Sequence, residues 1–291
     1  MNSILDIITK TTVYFNGRNI DKPRLQAESL IAHALGIKRM DLYLQAQRPL
    51  EEQELEKIRP LVRRRAKREP LQYVVGETDF WKNTLICRPG ALIPRPETEE
   101  LIEEVVTLWK QLSPNAPKRI LDLGTGSGAI AIALATEFPE AEVHAIDAST
   151  EPLVLAQENA TKNGLISRIQ FTHSNWFESV SGTFDLIVSN PPYLTQNETD
   201  VAEPEVKDYE PVQALIGADA DGAGDIRKIL TDARNFASLN DPHLVAFETG
   251  IDQHANLTTY AHEEGWKHTL GKSDFDKRPR FFFASDSAPF A

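Results

Sequence analysis

The chain has 291 residues and only one cysteine, Cys87. It therefore forms no disulfide bond within itself and no metal site made only of cysteines. It also lacks an apolar run close to the roughly 20 residues that cross a bilayer. Its first residues, Met-Asn-Ser-Ile-Leu-Asp, have neither the positive charge nor the apolar stretch of an export signal. These absences predict a cytoplasmic protein that needs no membrane.

Positive charge is also scarce, with 31 Lys+Arg against 43 Asp+Glu and a net charge of -12. The deficit is uneven. Residues 1–80 carry 14 basic and 11 acidic side chains, a net charge of +3, whereas residues 81–291 carry 17 and 32, a net charge of -15. So acidic a segment repels a phosphate backbone, which disfavours direct nucleic-acid binding by this part of the chain.

The N-terminal segment has apolar residues at the spacing of a helix. Leu30, Ile31 and Leu35 recur at helix spacing, and Gly36 follows where a left-handed C-terminal cap is expected. Similar apolar spacing in residues 4–14 and 55–62 predicts two more helices. Residues 1–70 are thus predicted to form a small all-helical domain. The basic run 63–68 is interpreted as a solvated helix face rather than a binding patch.

Residues 71–96 are rich in β-branched and aromatic side chains, which predicts two short strands in a hairpin linker. From Pro96 on, a helix opens and strands then alternate with helices, typical of a doubly wound, mostly parallel α/β sheet over 97–291. Segment 195–224 is left unassigned. The predicted strands are 119–123, 142–146, 169–172, 184–189 and 243–248, and the predicted helices are 129–137, 151–162, 224–236 and 253–264.

A glycine-rich loop follows the strand 119–123. Its glycines stand at alternate positions, unlike G-x-G-x-x-G, and no P-loop lysine follows. At the end of the next strand, Asp147 can accept hydrogen bonds from ribose hydroxyls. The glycine loop and Asp147 together predict a nucleoside site that requires no pyrophosphate, and S-adenosylmethionine fits such a site. The alternative is that the loop is a purely structural turn. The candidate cofactor-binding residues are Gly124, Thr125, Gly126, Ser127, Gly128 and Asp147.

The strand 184–189 is followed by Asn190-Pro191-Pro192-Tyr193, at the sheet edge where open α/β folds bind ligands. A planar amide nitrogen is a poor nucleophile, so an enzyme that methylates it must hold its hydrogens. The Asn190 side-chain oxygen and the Pro191 carbonyl can accept them, and the Tyr193 ring offers a face for a flat group. Asn190, Pro191 and Tyr193 are therefore predicted to be catalytic, and Asn190 to Tyr193 to bind the substrate, although the two prolines could form only a rigid turn.

With these motifs the chain resembles the HemK/PrmC family of protein-(glutamine-N5) methyltransferases, which are class I S-adenosylmethionine-dependent enzymes. The resemblance extends from about residue 20 to the end. The segment 93–99 is far more specific than the glycine loop. The markers are Arg68-Glu69-Pro70-Leu71-Gln72-Tyr73 with Gly76, then 92–99, 121–128, Asn175-Trp176-Phe177, 189–193, and Glu210-Pro211 with Ala214-Leu215.

The resemblance implies a seven-stranded Rossmann-like sheet, a helical N-terminal docking domain and a hairpin connector. It implies that the substrate is the glutamine of the Gly-Gly-Gln motif in class 1 peptide chain release factors, and that S-adenosylhomocysteine is the product. Because these residues match the family's motifs, the resemblance also implies that Trp176 lies near the adenine and that Asn190 contacts the cofactor as well as the substrate. Asn175 departs from the family's usual aspartate, and Ile216-Gly217-Ala218-Asp219 replaces a doubled glycine.

Three alternatives stay open. Asn-Pro-Pro-Tyr also serves adenine-N6 DNA methyltransferases, which the acidic charge of the catalytic segment disfavours. A glutamine methyltransferase of a ribosomal protein would use the same loop chemistry. A noncatalytic cofactor-binding scaffold is disfavoured by the intact tetrapeptide. A further hypothesis is that Arg63, Arg64 and Arg65 dock the substrate protein.

Overall fold

A computed structural model describes residues 2–238 and 242–287. The chain divides into two compact units. One consists of the chain up to Glu77 together with Glu203–Tyr209, and the other of Thr78–Ala202 and the chain from Glu210 on. Among the described residues, no helix is both long and apolar enough to span a membrane.

The first unit is helical. Its N-terminal stretch contains α1 (Ile4–Asn16), α2 (Pro23–Leu35), α3 (Arg39–Leu44), α4 (Glu52–Arg65) and α5 (Leu71–Val75). Ser3 caps α1 through the backbone N–H of Asp6, and Gly36, at φ 66°, ends α2. The three predicted helices are confirmed. Helix α3 was not predicted, because its six residues are too few to show a helical period.

The basic run at the end of α4 is not a solvated face throughout, so that interpretation is wrong for Arg65. The Arg65 side chain is only 3% exposed and donates a hydrogen bond to Glu205 at 2.5 Å. Arg68 donates to Glu205 and to Glu203. The carboxylates come from Glu203–Tyr209, more than 130 residues further along the chain, and local charge patterning cannot show such a partner.

Segment 71–96 contains the predicted hairpin, since β1 (Glu77–Phe80) and β2 (Asn83–Ile86) pair as a two-stranded sheet. It also contains α5, which the β-branched composition did not predict. Burial of Tyr73 and Val74 holds this single turn, and Gly76, at φ 89°, ends it.

The second unit is built on a seven-stranded sheet in the order β5-β4-β3-β6-β7-β9-β8. Strands β3 to β7 are parallel, and β9 runs antiparallel to both β7 and β8. The doubly wound, mostly parallel fold is thereby confirmed. The strands are β3 (Arg119–Leu123), β4 (Glu142–Asp147), β5 (Ile169–His173), β6 (Leu186–Ser189), β7 (Leu244–Glu248), β8 (His268–Ser273) and β9 (Pro279–Ser285).

Helices cover both faces of this sheet. Helices α6, α7 and α8 contribute to an apolar cluster on one face, and α11 and α12 to a cluster on the other. Alternate residues of β7 enter opposite clusters, which is why its sequence is almost continuously apolar. The helices are α6 (Pro96–Leu112), α7 (Ala129–Glu137), α8 (Thr150–Lys162), α9 (Gln196–Val201), α10 (Pro204–Lys207, in the first unit), α11 (Gly224–Ala233) and α12 (His254–Glu263).

In two predicted elements, one end differs from the prediction by two or more residues. The strand 184–189 begins at Leu186, because Phe184 makes only an isolated bridge to Ala237. The helix 224–236 ends at Ala233. The order of the strands reverses at β3, which has β4 on one side and β6 on the other. In an open α/β sheet, that reversal opens a crevice at the carboxyl ends of the strands.

Candidate active site

A cavity of about 380 Å³ lies at the carboxyl ends of β3, β4 and β6. It brings together residues from the glycine loop, from the end of β4 and from the start of α6. Most of the predicted site residues line it: Gly124, Thr125, Gly126, Ser127, Asp147, Trp176, Asn190 and Pro192. Gly128, Pro191 and Tyr193 are not part of its lining.

The glycine loop needs glycine for its backbone. Gly124, Gly126 and Gly128 have φ values of 70°, 55° and 83°, a region that side chains with a Cβ rarely adopt. A Cβ on Gly128 would lie 3.0 Å from the Ala156 Cβ, so this residue also lets α7 pack against α8. The backbone of Gly124 and Gly126 is left open for close approach of a ligand.

Asp122, at the end of β3, holds this loop in place. Its Oδ2 accepts hydrogen bonds from Thr125 Oγ1 at 2.6 Å and from the Ala131 backbone N–H at 3.0 Å. Burial raises the pKa of the Asp122 carboxyl to about 7. The loop and the first turn of α7 are thereby tied to one buried group.

Asp147, the last residue of β4, lines the cavity. Its two oxygens accept hydrogen bonds from the backbone N–H groups of Gly126 and Ser149, both at 2.9 Å. Burial raises the pKa of this carboxyl as well. Each carboxylate oxygen has a further lone pair, so Asp147 can still accept hydrogen bonds from ligand hydroxyls.

Trp176 lies against the glycine loop, since a Cβ on Gly124 would be 3.5 Å from its ring. Its backbone has a φ of 49°, which turns the chain sharply beside the cavity. The neighbouring Asn175 donates its side-chain N–H to Glu178 at 2.7 Å, which leaves its Oδ1 as an acceptor. An aromatic ring and an acceptor side by side suit a flat heterocycle that carries an amino group, so the cavity fits a nucleoside.

Asn190 is part of a hydrogen-bonded chain that ends at a buried carboxyl group. Its Nδ2 donates to Thr98 Oγ1 at 3.2 Å, and Thr98 Oγ1 donates to Glu248 Oε2 at 2.6 Å. The Tyr193 hydroxyl donates to the other oxygen of Glu248 at 2.8 Å. Burial raises the pKa values of Glu248 and Tyr193.

Sequence reasoning assigned no role to Thr98 or Glu248. Thr98 stands inside the 92–99 marker, and Glu248 is an ionisable residue at the end of an otherwise apolar strand. Such a residue is a signal, because buried strands rarely carry a charge without a function.

Pro191 and Tyr193 are adjacent in sequence to the lining residues Asn190 and Pro192 but do not themselves line the cavity. Pro191 is buried, and Tyr193 donates its hydroxyl to Glu248 while its backbone carbonyl accepts from Gln253 Nε2 at 3.0 Å. The Arg280 guanidinium lies 5.5 Å from the centre of the Tyr193 ring. The roles predicted for Pro191 and for the Tyr193 ring stay predictions.

An ion pair between the half-buried Arg95 and the buried Glu210 borders the cavity on the side of α6. Arg95 Nη2 donates to both carboxylate oxygens of Glu210 at 2.7 Å, and the Glu210 side chain is almost fully enclosed. Arg95 lines the cavity, so the pair fixes a cation at its wall. Both residues belong to markers of the family resemblance, but their separation of 115 residues hides the pairing.

The chain matches two protein-family models. The model described as PrmC N-terminal domain matches residues 6–76, and the model described as Methyltransferase small domain matches residues 105–206.

Curated relatives match most of the chain. A release factor glutamine methyltransferase of Chlorobaculum tepidum is 40% identical over 74% of this chain and 75% of its own length. Those of Geobacter sulfurreducens and Vibrio cholerae are 38% and 39% identical, over 86% and 88% of this chain and 85% and 87% of their own lengths.

Solved structures share the fold at lower identity. The catalytic domain of human METTL16, in complex with the MAT2A 3'UTR hairpin 6, has a TM-score of 0.57 at 14% identity, over 72% of this chain and 77% of its own. The T. thermophilus 16S rRNA methyltransferase RsmC has a TM-score of 0.51 at 19% identity, over 72% and 49%. These structures indicate a methyltransferase fold.

Proposed function

The chain belongs to the family of release factor glutamine methyltransferases, and we propose that it methylates the glutamine of the Gly-Gly-Gln motif in class 1 peptide chain release factors. The methyl group of S-adenosylmethionine goes to the side-chain nitrogen N5, that nitrogen loses a proton to water, and S-adenosylhomocysteine leaves. A release factor substrate also implies that the enzyme works in the cytoplasm and needs no nucleic acid.

One observation carries the proposal: Asn190 lines the cavity with its amide N–H committed to Thr98. Its Oδ1 has no hydrogen-bond partner within the described part of the chain. An acceptor next to a nucleoside-sized space suits a substrate that brings N–H groups, and a glutamine side chain brings two.

The residues present fit S-adenosylmethionine. Asp147 would accept hydrogen bonds from the ribose hydroxyls, Trp176 and Asn175 would contact the adenine, and the Gly124 to Ser127 backbone would approach the ligand closely. The bound cofactor supplies an electrophilic methyl group on a sulfonium centre. The carboxylate of Asp147 adds a negative charge to the lining, which favours a cationic ligand.

The protein's part in the reaction is orientation. An amide nitrogen has a delocalised lone pair and attacks poorly, so transfer requires it to be aimed at the methyl carbon. Asn190 Oδ1 accepts one amide hydrogen, and we assign the second to the Pro191 carbonyl. Holding both hydrogens fixes the plane of the amide and favours the positive charge that grows on nitrogen.

We also propose that residues 1–70 dock the release factor, with 71–96 as linker and 97–291 as the catalytic domain. Large apolar side chains of α3 support this role, since Met40, Tyr43 and Leu44 are 68%, 51% and 84% exposed. Arg65 takes no part in docking, because it is buried in an ion pair.

Transfer of labelled methyl from S-adenosylmethionine tests the proposal. The acceptors are a purified release factor, the same factor with its Gly-Gly-Gln glutamine changed to alanine, total ribosomal protein, and DNA. We expect label on the unmodified factor alone. Label on ribosomal protein but not on the factor would show that a ribosomal protein is the substrate instead. Label on DNA alone would contradict the proposal.

A further inference from the structure

Among the described residues, two groups donate hydrogen bonds to the buried carboxyl of Glu248, and both are hydroxyls, those of Thr98 and Tyr193. A carboxylate only accepts hydrogen bonds. The single hydroxyl hydrogen of Thr98 is therefore committed to Glu248, over a short 2.6 Å contact.

This commitment sets the direction of the next bond. With its hydrogen used, Thr98 Oγ1 can only accept from Asn190, and of the two ends of the Asn190 side chain only the NH2 group donates. The 3.2 Å contact is thus N–H to oxygen, and Asn190 Oδ1 is turned away from Thr98. Oxygen and nitrogen of an asparagine are told apart by such networks, and this network ends on a carboxylate, which in its ionised form only accepts.

We propose that Thr98 and Glu248 are positioning residues that lock the Asn190 amide, so that the site selects a primary amide and rejects a carboxylate. The inference rests on the proposed function and deepens it. Glutamine brings N–H groups to Asn190 Oδ1, whereas glutamate brings only oxygens, which are repelled by that acceptor. A free asparagine would rotate by half a turn and accommodate either side chain.

The first test replaces Thr98 by valine, which has the same shape and no hydroxyl. The amide of Asn190 is then free to rotate. We expect kcat on the release factor to fall about tenfold, the size of one oriented hydrogen bond. We also expect the factor whose glutamine is changed to glutamate to inhibit more strongly, so that the ratio of its inhibition constant to the KM of the glutamine factor falls about tenfold.

Three further variants check this result. Thr98→Ser keeps the hydroxyl and should restore both kcat and the ratio. Thr136→Val is the matched control, because Thr136 Oγ1 accepts from Asn83 Nδ2 at the same 3.2 Å but does not line the cavity. It should leave both unchanged. Glu248→Gln, which can donate to Thr98 and free its hydroxyl hydrogen, should lower the ratio as Thr98→Val does.

A measurement without substrate keeps the inference separate from the proposed function. The side-chain NH2 signals of Asn190 in a ¹⁵N NMR spectrum, identified by their loss in Asn190→Ala, should shift in Thr98→Val and return in Thr98→Ser. Unchanged signals or an unchanged ratio in Thr98→Val would overturn the inference. If these signals shift in Thr98→Val but the unmutated enzyme does not methylate the release factor, the proposed substrate is wrong, whereas the orientation of the Asn190 amide by Thr98 is supported.

Discussion

Asp122 stabilises the glycine loop, but its burial also lowers the free energy of unfolding at high pH. Its Oδ2 accepts from Thr125 and Ala131, whereas its Oδ1 is buried without a hydrogen-bond partner among the described residues. The carboxyl is fully enclosed, and its pKa is about 7 against an ordinary value of 3.8. The folded protein therefore holds a proton at pH values where the unfolded chain has lost it.

The pH dependence of stability follows from that difference. The stabilisation from protonated Asp122 is fully present below about pH 4 and is lost as the pH rises to about 7. Within this window the slope is about 1.4 kcal/mol per pH unit. We predict that Asp122→Asn removes this slope and raises the free energy of unfolding relative to the parent at pH 8.

Urea denaturation from pH 4 to pH 8 checks it. Asp252→Asn, at an exposed carboxylate, is the control and should keep the profile of the parent. A parallel profile for Asp122→Asn would show that the Asp122 carboxyl titrates alike in the folded and unfolded states.

Asn190 is the residue on which the proposed chemistry depends. We predict that Asn190→Ala lowers kcat by roughly 10²–10³-fold, the usual loss for one preorganised polar contact to a reacting group. Binding of S-adenosylmethionine, measured by calorimetry, should largely survive because Asp147 and the glycine loop remain.

Asn83→Ala removes an asparagine amide that bonds to Thr136 away from the cavity and serves as the control. Full turnover by Asn190→Ala would refute the role given to its side-chain oxygen.

At the scale of elements, the packing of α7 on α8 depends on Gly128. An added Cβ there would lie 3.0 Å from the Ala156 Cβ and 3.2 Å from its Cα, on a backbone with φ 83°. Gly164, at φ 72°, has open space around its missing Cβ. Alanine at both positions meets backbone strain, but only alanine at Gly128 also meets a steric conflict.

We predict that Gly164→Ala costs about 1–2 kcal/mol of unfolding free energy, the penalty of a left-handed backbone. Gly128→Ala should cost about 1–3 kcal/mol more, because helices α7 and α8 must move apart. Guanidinium denaturation of both variants measures the difference. Equal costs would mean that the two helices yield without strain.

The elements that could be predicted from the sequence are those with a local signal. Helix α7 has its predicted bounds because a glycine loop precedes a continuous apolar run. Asp147 and Asn190, which line the cavity, could be predicted because Asp147 ends a strand and Asn190 directly follows one. Strands β8 and β9 were not assigned, since antiparallel pairing at the sheet edge depends on residues far apart. Thr98 and Glu248, 150 residues apart, met only through the fold.

At the scale of the whole molecule, Glu203–Tyr209 completes the helical unit although it lies far along the chain. Glu205 accepts hydrogen bonds from both Arg65 and Arg68, and Arg65 is nearly enclosed. Tyr209 adds a hydrogen bond from its hydroxyl to the carbonyl of Lys67 at 2.8 Å. Without the carboxylate, a buried guanidinium would be left unpaired.

We predict that Glu205→Ala loosens this segment, because an unpaired buried charge costs about 3–5 kcal/mol. Amide hydrogen exchange of residues 203–209 should quicken about a hundredfold or more. Glu203→Ala is the matched control in the same segment, since Glu203 is 75% exposed and should change exchange little. Equal exchange in the two variants would show that the ion pairs do not hold the segment.

The place of Glu203–Tyr209 in the chain also sets the order in which the protein matures on the ribosome. A unit made only of the first 77 residues could fold as soon as it left the exit tunnel. Here Arg65 waits for a partner that is synthesised on the order of ten seconds later, at about 5–20 residues per second. Nascent chains stalled before residue 203 should therefore carry a helical unit that is incomplete, and its completion reports that most of the sheet has already been made.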